Sequence, residues 1–67
     1  MEQWTSEKIK ELRTNMGLSQ VAFAEQIGVT NVYVNYLEKG VKKPGKTLKI
    51  LLSVLEKNEN MKEKVGD

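Results

Sequence analysis

The stretch Gln20–Lys39, QVAFAEQIGVTNVYVNYLEK, decides how this chain folds. Ala24 precedes Gly28 by four positions, and apolar residues fall at Phe23, Ile27, Val29, Val34 and Leu37. Two short helices crossing steeply need a small side chain at their closest approach. They also need a glycine, free to take positive φ, where the first helix ends. Ala24 and Gly28 stand where those requirements fall. Ser19 and Thr30 precede the two halves, where hydroxyl oxygens accept from otherwise orphaned amides. The pattern predicts helices over about 20–27 and 31–39, with Gly40 as the stop signal of the second.

Upstream, a helix is predicted from Ser6 to Met16. Thr5 is its cap, Glu7 faces the positive end of the helix dipole, and Gly17 ends it. Trp4 and Ile9 have the spacing of a hydrophobic staple, and Ile9, Leu12 and Met16 define the buried face. Trp4 could instead stack on a ligand, but an aromatic at a helix entry is more often a packing residue. Downstream, Pro44 disfavours helix at Lys43 and marks a fresh start, so a fourth helix is predicted over about Lys46–Lys57. There are no internal repeats and no useful strand-like alternation. The expected fold is all-α, a compact four- to five-helix bundle. Residues 1–57 form its single domain, and 58–67 a polar C-terminal tail, weakly helical or mobile, in which Met61 and Val65 could make one packed turn.

Composition narrows function. The 67 residues contain neither cysteine nor histidine, which removes disulfides, thiolate ligands, the commonest metal ligand and the commonest general base. There is no glycine-rich phosphate loop, and Glu56, Glu59 and Glu63 read as a solvated surface rather than a catalytic pair. No catalytic residue, metal or cofactor is expected. A chain this short offers no second domain to house a small-molecule effector. No apolar run is long enough to span a bilayer and no secretory segment is visible, so a cytoplasmic protein is expected.

The formal charge is only +2, but it is unevenly placed. Residues 1–38 carry three basic and five acidic side chains; residues 39–49 carry Lys39, Lys42, Lys43, Lys46 and Lys49 and no acid. Positive charge directly after the second helix of the motif is what a phosphate-binding edge would show. A merely solvated lysine-rich loop is the bland alternative.

From Ile9 to Leu55 the chain resembles the phage repressor and Cro-like helix-turn-helix domains, the XRE family. The matching residues are LRTNMGLSQ, FAEQIGV, NYLEKG and the KKP before the fourth helix. The ending KKPGKTLKILLSVLE also looks like the DNA-binding domains of some antitoxins. The resemblance implies that the helix 31–39 enters the major groove of double-stranded DNA, with Asn31, Val32, Asn35 and Tyr36 facing base edges. Asparagine can pair with adenine and valine can pack on a thymine methyl; no arginine is present to read guanine, so A·T pairs are expected. Val32 is informative, because Val34 and Leu37 already supply this helix's buried stripe.

The same resemblance implies phosphate contacts from Ser19, Gln20, Thr30 and Tyr33, and from Lys42, Lys43, Lys46 and Thr47 on the other side. Simple helix capping is the competing role for Ser19 and Thr30, and the two coexist. It further implies that Arg13 pairs with Glu38 and locks the far end of the recognition helix, a structural role. On the fourth helix, Leu48, Leu51, Leu52 and Leu55 form a core stripe while Ile50 and Val54 lie on a different face. That second stripe either packs under the tail or meets another subunit, giving a homodimer suited to a palindromic site. The expected function is a sequence-specific transcriptional regulator, most simply a repressor. The alternative is an antitoxin or other interaction module whose main partner is a protein such as a toxin.

Overall fold

The computed structural model describes the backbone over residues 3–65 and side chains up to residue 59. Its elements are α1 (Ser6–Asn15), α2 (Gln20–Ile27), α3 (Asn31–Lys39) and α4 (Lys46–Val65), with no strand among the described residues. The all-α expectation holds, with four helices rather than five in that span.

The first three helices begin on a hydroxyl cap. The Thr5, Ser19 and Thr30 oxygens accept from the Lys8, Ala22 and Tyr33 amides at 3.2, 3.1 and 3.2 Å. Each cap thereby satisfies an amide that the helix itself leaves without a partner. Between α2 and α3 the chain reverses at Gly28 (φ 75°), where a β-carbon would be strained. Gly40 (φ 79°) ends α3 in the same way. The Gly45 carbonyl accepts the Lys49 amide at 2.9 Å and opens α4.

Phe23, Ile9, Leu37, Leu52 and Val34 are fully buried, joined by Trp4, Leu12, Ala24 and Ile27. Every helix therefore contributes to one core, and α3 lies chiefly against α2 and next against α1. Trp4 reaches across the molecule: its indole N–H donates to Ser53 Oγ at 3.2 Å, fastening the chain's entry to α4. Lys8 lies 5.0 Å from the centre of the indole ring and 3.9 Å from Glu56, a second tie between α1 and α4.

Where the sequence predicts α4 to end near Lys57, the backbone stays helical to Val65. Nothing between Lys46 and Val65 is glycine or proline, so no residue there stops the helix. The expected packing of Met61 and Val65 lies outside the residues whose side chains are described.

Candidate nucleic-acid interface

Helical geometry divides α3 cleanly. Val34 and Leu37 point into the core, while Val32 (53% exposed) and Tyr36 (40% exposed) stand on the opposite side. Lys39 follows Tyr36 by three positions and is also exposed, so Val32, Tyr36 and Lys39 form one outward stripe. Asn31 is exposed in the first turn, and Asn35 lies half-buried on the flank toward α2. The four side chains expected at base edges thus occupy the outer face and one flank of a single helix. Lys39 belongs with them spatially; the sequence reading counted it only as charge, although its spacing from Val32 and Tyr36 carried the signal.

That face is held from behind by a continuous polar network. Arg13, late in α1, donates from Nε to Glu38 Oε2 at 2.6 Å and from Nη2 to Glu38 Oε1 at 3.2 Å. Its Nη1 donates to the Leu18 carbonyl at 2.9 Å, so one guanidinium ties α1, the α1–α2 turn and α3 together. Side-chain exposure is only 14% for Arg13 and 5% for Glu38. The bidentate, sheltered geometry suits arginine's planar fork and would not suit lysine. The network continues: Gln20 Nε2 donates to Glu38 Oε1 at 3.1 Å, and Asn35 Nδ2 donates to Gln20 Oε1 at 3.4 Å. The link from Gln20 to both Glu38 and Asn35 is absent from the sequence reading, because it depends on how α2 and α3 cross.

The expected phosphate-facing residues fall into separate groups. Ser19 and Gln20 open α2. Thr30, Tyr33 and Thr47 line one open groove together with Val29, Leu48 and Leu51. Lys42 and Lys43 instead border a hollow with Lys49, Thr5 and Ser6 at the start of α1, and Lys46 is exposed at the start of α4. Free backbone amides at the capped starts of α2 and α3 add donors that suit anionic oxygens. On α4, Ile50 (58%) and Val54 (47%) are exposed, apart from the buried Leu52.

A family model described as helix-turn-helix matches residues 9–60, and the chain belongs to that family, the XRE-type DNA-binding helix-turn-helix proteins. No curated protein and no solved structure matches the chain. Membership makes DNA the partner and a DNA-binding regulator the kind of protein this is. Among the described residues, no helix is long and apolar enough to cross a membrane.

Proposed function

We propose that this protein is a sequence-specific repressor that occupies a palindromic operator as a homodimer in the cytoplasm. Asn31, Val32, Asn35 and Tyr36 read bases in the major groove. The observation that carries this reading is the outer face of α3: Val32 and Tyr36 are left exposed on a helix whose other side is locked by Arg13 and Glu38. A rigid helix presenting apolar and amide groups outward suits contact with thymine methyls and adenine edges. Ser19, Gln20, Thr30, Tyr33, Lys42, Lys43, Lys46 and Thr47 grip phosphates on either side. The DNA-binding unit is residues 1–57, and 58–67 are a polar C-terminal tail.

Dimerisation is supported by Ile50 and Val54, an apolar pair exposed on α4 among the described residues. A two-fold pair of recognition helices would meet half-sites about 34–36 Å apart, one turn of DNA. The same exposed pair is the feature that favours the second reading, in which α4 binds a protein such as a toxin and DNA binding serves autoregulation.

Selection from random duplex DNA, followed by sequencing, tests the function directly. The expected outcome is a palindrome with A·T pairs under the outer face of α3. Log affinity for it should fall with log salt by about 0.9 per phosphate neutralised. Lys43→Ala is expected to weaken every sequence alike and reduce that slope by about 1. A selected site with only G·C pairs under α3 contradicts the base-reading assignment. No enrichment at all, with capture of a defined protein partner instead, favours the second reading.

A further inference from the structure

The polar network behind α3 has a direction. Arginine offers only donors and a carboxylate only acceptors, so the Arg13–Glu38 pair leaves an acceptor facing Gln20. Gln20 must therefore turn its NH2 toward Glu38, as it does at 3.1 Å, which places its carbonyl oxygen toward Asn35. Asn35 must in turn give that oxygen an N–H, at 3.4 Å, which directs its own oxygen away from Gln20. The reverse orientation of either amide would set two acceptors or two donors against each other. The donor-only guanidinium thus fixes the polarity of both amides without reference to any ligand.

We infer that Gln20 is a positioning residue that sets the Asn35 amide for adenine and against guanine. The inference rests on the reading of α3 as the base-contacting helix. One Asn35 hydrogen is engaged by Gln20. The remaining N–H and the carbonyl oxygen form an edge that complements the N7 acceptor and N6 donor of adenine. Guanine presents two acceptors, N7 and O6, and one of them would meet the Asn35 oxygen. Gln20 retains a second Nε2 hydrogen, which is free to reach a phosphate, so the two roles are compatible. They differ in what they predict, because a phosphate contact alone carries no sequence preference.

The test measures the affinities of the parent, Gln20→Met, Asn35→Ala and the double variant for the selected operator and its single-base-pair changes. The parent is expected to favour adenine over guanine by about tenfold or more at one position. Gln20→Met should lose that preference at this position and no other, and the double variant should match Asn35→Ala. Uniform weakening across all sequences, with the preference intact, overturns the positioning role. In the free parent protein, NMR should show one Asn35 side-chain amide proton shifted and slowed in solvent exchange relative to its twin. Two Asn35 amide protons at ordinary primary-amide shifts, exchanging with solvent at the same fast rate, would overturn the inference even if Gln20→Met failed to fold. A parent with no sequence preference for duplex DNA sinks the proposed function, and Asn35's reading role with it. A selective parent whose preference survives in Gln20→Met sinks only the role of Gln20.

Discussion

The α2–α3 unit and α4 use apolar residues in opposite ways. In the first, Phe23, Ala24, Ile27, Val34 and Leu37 are all buried, and the caps, Gly28 and the Arg13–Glu38 pair fix how the two helices meet. Apolar side chains left outside there, such as Val32, stand among polar neighbours on the face proposed to meet DNA. In α4, by contrast, Leu52 alone among the described side chains is fully buried, Leu48, Leu51 and Leu55 are half-covered, and Ile50 and Val54 are open. One region spends its polar groups on rigidity; the other keeps an apolar side in reserve. The lesson is that exposure of the same residue type carries different meanings, decided by what holds the element underneath.

The largest effect is expected from Arg13→Ala. Removing one partner of a sheltered ion pair strands Glu38, with an expected loss of about 3 kcal/mol. For a chain of this size that lowers the thermal midpoint by more than about 10 °C, read by circular dichroism, and DNA affinity falls as a consequence. A variant that melts like the parent yet binds poorly would make Arg13 a DNA contact rather than a lock on α3.

The next effect concerns α4. Replacing Ile50 and Val54 together by serine should leave the melting curve within a few degrees, since both side chains are exposed. It should weaken binding to a two-half-site duplex by about tenfold while sparing a single half-site, as expected for a lost interface side chain. Unchanged operator affinity, with a monodisperse dimer by sedimentation, would place the subunit contact elsewhere. Smallest is Val32→Ala, expected to shift preference about fivefold at one base pair, read from the same operator panel, with stability unaltered. Equal weakening on all sequences would deny it a reading role.

These residues also mark what was legible in advance. The caps Thr5, Ser19 and Thr30 and the reversal at Gly28 follow from local rules that need no tertiary information, and the structure places each as expected. The exposure of Val32 followed from counting which residues of α3 the core already used. The Arg13–Glu38 pair came from resemblance, since their separation along the chain implies no contact. The Gln20–Asn35 bond and the Trp4–Ser53 bond were illegible for the same reason: each is made by helices whose crossing is fixed only once the core forms. The end of α4 escaped because residues 58–65 neither stop a helix nor demand one.

Trp4 is the only tryptophan of the chain, nearly enclosed and hydrogen-bonded to a residue 49 positions away. Its fluorescence is therefore a native gauge of whether the segment before α1 is still fastened to α4. A red-shifted emission registers detachment of these two regions separately from melting of the α2–α3 unit between them, with no dye or tag attached.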